Sequence, residues 1–89
     1  MSDAFVEAVL AAIATVLRDT GRSGTHAVPT SLLADDLALD SLDLAQTIVL
    51  LERSLGVDPF RSAGPVTKPI RTVADLAAVY AEAVRGFRE

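Results

Sequence analysis

The 89-residue chain has no cysteine, no tryptophan and a single histidine, His26. Without cysteine there is no disulfide framework, no thiolate metal site and no thiol nucleophile among the protein's own side chains. One histidine is too few for a histidine-based metal cluster, and a Ser-His-Asp triad is poorly supported. Lysine occurs once, at Lys68, and the formal net charge is -4. A basic footprint for nucleic acid or anionic lipid is therefore missing, and partners with positive surfaces are the expectation. Long hydrophobic runs are missing too. Although 51% of the residues are hydrophobic, no uninterrupted stretch approaches the roughly 20 residues of a membrane span. The opening MSDAFVEAVL places acids before its apolar part, unlike the basic start of a secretory signal. One small cytoplasmic domain over residues 1–89, monomeric and without a metal, is expected. The initial Met1 and the short tails make a free-standing protein the expectation.

What the chain does have is helical periodicity. From Ala4 to Arg18, Phe5, Val9, Ile13 and Val16 fall on one face, with Val6, Leu10 and Leu17 beside them. Ser2 or Asp3 is placed to cap this helix, and Gly21 to stop it. A second helix opens at LDSLDL. With Asp40 as N-cap, Asp43 at N3 makes an acidic capping box, and Leu39 and Leu44 make a hydrophobic staple. The helix is expected to run to about Leu55, ended by Gly56. A third helix starts at RTVADLAAVY, with Thr72 and Asp75 as a second capping box and Val73, Leu76, Tyr80, Val84 and Phe87 as its core stripe.

Two connections remain. DTGRSGTHAVPTSLLADD is long for a loop unless it is functional or packed by its own side chains, and Leu32, Leu33 and Leu37 are the candidate anchors. VDPFRSAGPVTKPI carries Pro59, Pro65 and Pro69, which leave room for one short helical turn near Pro59 to Ala63. There is no strand alternation and no internal repeat. The predicted fold is all-α: a small antiparallel four-helix bundle of three main helices and one short helix, with a long loop between helices one and two.

The second helix is more apolar than such a bundle requires. Leu44, Ile48, Leu51 and Leu55 form one stripe, expected to face the core. Leu42, Ala45, Val49 and Arg53 follow another line. A surface helix in so small a domain cannot bury its whole circumference, so part of Leu42, Val49 and Leu50 is expected to be exposed as a docking surface. The plainer alternative is extra core.

Ser41 lies between Asp40 and Asp43 at the start of this helix. The bland reading is a helix start, and the sharper one is an attachment point. The string Asp36-Leu37-Ala38-Leu39-Asp40-Ser41-Leu42 resembles the acyl carrier protein family, whose hallmark is Asp-Ser-Leu at the head of helix two, preceded by Asp-Leu-Gly-Leu. The resemblance is close over DDLALDSLDLAQTIVLLERSLGV and extends to the layout of the whole chain, and TVADLA is similar to the family's fourth helix. It implies a non-catalytic carrier with 4′-phosphopantetheine from coenzyme A on Ser41, holding acyl or polyketide intermediates as thioesters for partner enzymes. The implied partners are a phosphopantetheinyl transferase, a ketosynthase, an acyltransferase or ligase, and tailoring enzymes. The implied partner-binding residues are Asp40, Leu42, Asp43, Ala45, Gln46, Val49 and Arg53.

The chain departs from the family pattern in two places. Ala38 stands where glycine is usual. Gln46 and Arg53 stand on a face that is strongly acidic in carriers of fatty acid biosynthesis, which points to polyketide or other specialised biosynthesis and to apolar recognition. The Gly-Gly-His-Ser string usual in peptidyl and aryl carriers is missing. Three alternatives stay open: an unmodified helical interaction adaptor with Ser41 only at a helix start, a peptidyl or aryl carrier, and, weakest, a small hydrolase using Ser41, which lacks a suitably spaced histidine and oxyanion glycines. His26, Asp35 and Asp36 are read as solvated loop residues. Lys68 and Arg71 are read as solvated in preference to contacting a partner or the arm's phosphate.

Overall fold

The computed structural model describes residues 3–22, 24–56 and 70–88. The short helix expected near Pro59 to Ala63, the Ser2 cap, and the roles considered for Lys68 and the Phe87 side chain lie outside what is described. All regular structure among the described residues is helical: α1 (Asp3–Asp19), α2 (Ser41–Leu55) and α3 (Val73–Arg88). Helix α1 packs against both of the others, whereas α2 and α3 do not approach each other closely. No described helix is long and apolar enough to cross a membrane.

Each boundary has a local cause. Helix α1 ends where Gly21 takes a left-handed φ of 79°. The Gly21 N–H donates to the Arg18 carbonyl at 3.2 Å and the Arg22 N–H to the Leu17 carbonyl at 2.6 Å. This 5→2 and 6→1 pair satisfies carbonyls that would otherwise be orphaned at the helix end. Helix α2 starts with the expected box: the Asp43 N–H donates to Asp40 Oδ1 at 2.8 Å, and the Asp40 N–H to Asp43 Oδ2 at 3.3 Å. It ends at Gly56, also left-handed, whose N–H donates to the Glu52 carbonyl. Helix α3 opens with the second box, the Asp75 N–H on Thr72 Oγ1 at 3.1 Å and the Thr72 N–H on Asp75 Oδ2 at 3.0 Å.

The core is built from Val9, Ile13, Val16 and Leu17 of α1, Leu51 of α2, and Val73, Leu76, Ala77 and Tyr80 of α3. The segment between α1 and α2 adds Leu33, Leu37 and Leu39. It is stitched to the head of α3: the Leu33 N–H donates to the Arg71 carbonyl at 2.8 Å, and the Val73 N–H to the Ser31 carbonyl at 3.2 Å. A long connection can lie against the core here because its backbone polar groups find partners.

The inward line of α2 differs from the expected one. Leu51 is fully buried, but its buried companions are Asp43 and Thr47. Leu44, Leu50 and Leu55 are half-buried against the core, and Ile48 is half-buried. The i, i+4, i+8 line 43–47–51 therefore replaces the expected stripe 44–48–51–55. Thr47 can be buried because its hydroxyl donates to the Asp43 carbonyl at 2.9 Å, within its own helix.

Candidate functional site

The site is the head of α2 and the turn that leads into it. Asp40 is extended, at φ -87° and ψ -176°, so the chain enters the helix at Ser41. Ser41 is exposed, and its hydroxyl makes no hydrogen bond among the described residues. The Asp43 N–H is taken by Asp40 Oδ1, and the Leu44 N–H by the Asp40 carbonyl at 3.0 Å. The N–H groups of Ser41 and Leu42 have no protein acceptor among the described residues. An exposed hydroxyl thus sits beside two open donors at the positive end of a four-turn helix.

The turn before it carries strain. Ala38 has φ 53°, and it alone among the described non-glycine residues is positive. This is the position where the family resemblance leads one to expect glycine. A left-handed alanine costs about 1 kcal/mol, and glycine returns some of that as freedom of the unfolded chain. Ala38→Gly is expected to raise stability by about 0.5 kcal/mol in urea denaturation; a loss of stability would show that the turn is not strained.

Arg22 is the residue that the sequence did not reveal. Its guanidinium donates to the Ala38 carbonyl at 2.7 Å and the Leu37 carbonyl at 3.4 Å. It pairs with Asp43 Oδ2 at 2.7 Å. Its Nε and Nη2 donate to Thr20 Oγ1 at 3.1 and 3.0 Å. No local signal marks it, because Asp43 lies 21 residues away in sequence.

These contacts tune the capping carboxylates. The Arg22 hydrogen bond, followed by the Asp40 N–H, outweighs burial and holds Asp43 below its ordinary 3.8. Backbone N–H groups of Arg71 and Thr72 do the same for Asp75. A depressed folded pKa contributes stability that is complete above the unfolded value and is lost as pH falls through the folded one. The urea midpoint is therefore expected to hold from neutrality to about pH 5 and to drop below about pH 4. Asp43→Asn and Asp75→Asn should each make that acid drop shallower; an acid limb unchanged in both would contradict the assignment.

The expected partner face divides. Leu42, at 66% exposure, and Val49, at 48%, stand in solvent, with Ala45, Gln46 and Arg53 also exposed on the same side of α2. Asp40 is exposed as well, with one oxygen engaged in the cap. Asp43 turns inward, 7% exposed, into the cap and the Arg22 pair. Its role in this structure is to hold the helix start. Leu50 is half-buried, packing against the core and also lining the groove beside this face. The face continues into a groove of about 420 Å³ between α1 and α2, where Ala45, Gln46, Val49 and Arg53 meet Val16 and Asp19.

His26, Asp35, Asp36 and Arg71 are exposed. Among the described residues no group of three His, Asp or Glu is arranged to hold a metal. Searches against protein-family models, curated proteins and solved structures found no match to the chain.

Proposed function

We propose that the protein is a carrier that bears 4′-phosphopantetheine on Ser41 and presents acyl or polyketide intermediates to partner enzymes. The observation that supports this reading most is the exposed, unbonded Ser41 hydroxyl at the first position of α2, inside a cap made by other residues. Asp40 and Asp43 close the helix end between themselves, so Ser41 is not consumed by capping. A residue needed only as a cap would be using its own oxygen.

The residues present fit a phosphodiester. Such a group is an anion, and it would be attached at the positive end of the helix, where the N–H groups of Ser41 and Leu42 are open among the described residues. The other described serines fit less well. Ser31 is buried, with its hydroxyl accepting the Val28 N–H. Ser54 is exposed but in the last turn of α2, where the dipole disfavours negative charge. In the transfer, Ser41 Oγ forms a bond to the phosphorus that carries pantetheine. The phosphoanhydride bond to the 3′,5′-bisphosphorylated adenosine breaks, and the serine proton leaves to a base of the transferase. The carboxylates flanking Ser41, Asp40 and Asp43, are engaged in the cap, so on this reading activation of the hydroxyl is left to the transferase and its metal. The arm supplies the thiol that carries the acyl group, a nucleophile this cysteine-free chain lacks.

The partner face on this reading is Leu42, Ala45, Gln46, Val49 and Arg53, with Asp40 at its head. It mixes apolar groups with few acids, which suits the enzymes of polyketide or other specialised biosynthesis better than those of fatty acid biosynthesis. A four-helix bundle, with its short helix near Pro59 to Ala63, and a cytoplasmic monomer belong to the same proposal. The test is the intact mass of the protein after incubation with coenzyme A and a broad-specificity phosphopantetheinyl transferase. Gain of one phosphopantetheinyl group is expected. An unchanged mass would favour the adaptor reading, in which the exposed Leu42 and Val49 bind a partner without modification.

A further inference from the structure

Arg22 makes an unusual set of contacts for a residue just past a helix end. Its backbone closes α1, through the N–H bond to the Leu17 carbonyl. Its side chain is fixed at the root by Thr20, whose own hydroxyl donates to the Val16 carbonyl at 2.8 Å. From there the guanidinium reaches two carbonyls of the turn, at Leu37 and Ala38, and the Asp43 carboxylate. Asp43 Oδ2 also receives the Asp40 N–H. One fork of donors thus ties the end of α1 to both sides of Ser41.

The tie is needed because the turn resists its own shape. Ala38 is left-handed without being glycine, and an alanine left to itself returns to negative φ. The 2.7 Å bond to the Ala38 carbonyl holds that peptide in place. Arginine suits the task where lysine does not, since its planar fork presents several donors at fixed angles while an ammonium is a single point.

We propose that Arg22 is a positioning residue for modification of Ser41, bracing the 37–40 turn and the first turn of α2 so that the hydroxyl is presented in one orientation. The inference rests on the reading that Ser41 receives the phosphopantetheinyl group. In-line attack on phosphorus requires a fixed approach, and a loosened first turn lowers the fraction of molecules able to react. When only a fraction of the substrate is competent, its apparent affinity for the enzyme falls by that fraction. The loss therefore appears chiefly as a higher KM for the carrier, with kcat less changed.

The experiment measures transferase kinetics and amide hydrogen exchange for wild type, Arg22→Ala, Arg22→Lys and Thr20→Val, each at a temperature where circular dichroism shows it folded. Arg22→Ala is expected to lose about tenfold to a hundredfold in kcat/KM, carried mainly by KM. Arg22→Lys, which keeps the charge beside Asp43, should recover only part of it. Thr20→Val, which removes only the anchor of the fork, should lose about threefold and serves where Arg22→Ala does not fold. Exchange at the Asp43 and Leu44 amides should quicken about tenfold or more in Arg22→Ala, beyond any change at the Leu51 amide. A purely global loss of stability would move all three amides together and overturn the proposal. Equal kcat/KM in wild type and Arg22→Ala overturns it as well, leaving the Ser41 reading intact. A wild type that never gains the group overturns both, even if exchange at Asp43 quickens.

Discussion

Leu51→Ala is expected to destabilise the protein by about 2–5 kcal/mol, a large share of the stability a domain this small possesses. Leu51 is fully buried and is the one large apolar side chain that α2 buries completely. Its neighbours on the inward line, Asp43 and Thr47, contribute polar groups whose bonds hold the helix rather than apolar area. The surrounding core is drawn from three helices and the 31–39 segment, so collapse around the missing methyl groups would have to move several elements at once. Leu42→Ala, on the same helix, should cost no more than about 0.5 kcal/mol, because its side chain is 66% exposed. On the carrier reading Leu42→Ala instead weakens handling by partner enzymes. Urea denaturation of the two variants makes the comparison. Equal losses would mean that Leu42 is core and that the proposed partner face is misplaced.

Ser41→Ala is expected to abolish the mass gain from coenzyme A and transferase while leaving the fold intact. The stability half of this statement follows from the cap. The bonds that close the head of α2 belong to Asp40 and Asp43, and alanine is a good helix former at an exposed first-turn position. The change in stability should stay within about 0.5 kcal/mol. The chemical half follows from the lack of a substitute among the other described serines. Ser31 is buried and bonded, and Ser54 is at the wrong end of the helix dipole. Ser54→Ala should therefore be modified like wild type. A mass gain that persists in Ser41→Ala would place the attachment elsewhere.

Much of this architecture was legible in the sequence because its signals are local. Each capping box occupies four consecutive residues, and both Asp40–Asp43 and Thr72–Asp75 formed as their spacing predicts. Gly21 and Gly56 mark the ends of α1 and α2 with positive φ. The periodicity of α1 put Val9, Ile13 and Val16 in the core. Leu33 and Leu37, chosen as anchors of the long connection, are buried. Two features were hidden for a physical reason. Thr47 is not part of the apolar stripe expected to face the core, yet a hydroxyl that bonds within its own helix has little need of water. Arg22 carries no local signal of its contacts, and only the tertiary approach of α1 to the head of α2 gives it Asp43 and the turn carbonyls. The same approach explains why Asp43, expected both to cap and to face a partner, is turned inward.

Ala38 shows how the two kinds of signal interact. From sequence it is a departure from the glycine of the resembling family. In the structure the left-handed turn is kept, with a guanidinium holding the strained peptide. Backbone shape in the turn before Ser41 is thus held by a contact 16 residues distant rather than by the residue that adopts it.

The carrier reading is tested most directly by locating the added group rather than only detecting it. Wild-type protein is incubated with coenzyme A and transferase, digested, and the fragments are sequenced by tandem mass spectrometry. The reading predicts one phosphopantetheinyl group, on Ser41 within the LDSLDL segment, and none on Ser54 or any other serine. A group found on another residue, or a fully folded protein that acquires none under conditions where a known carrier is converted, would contradict it.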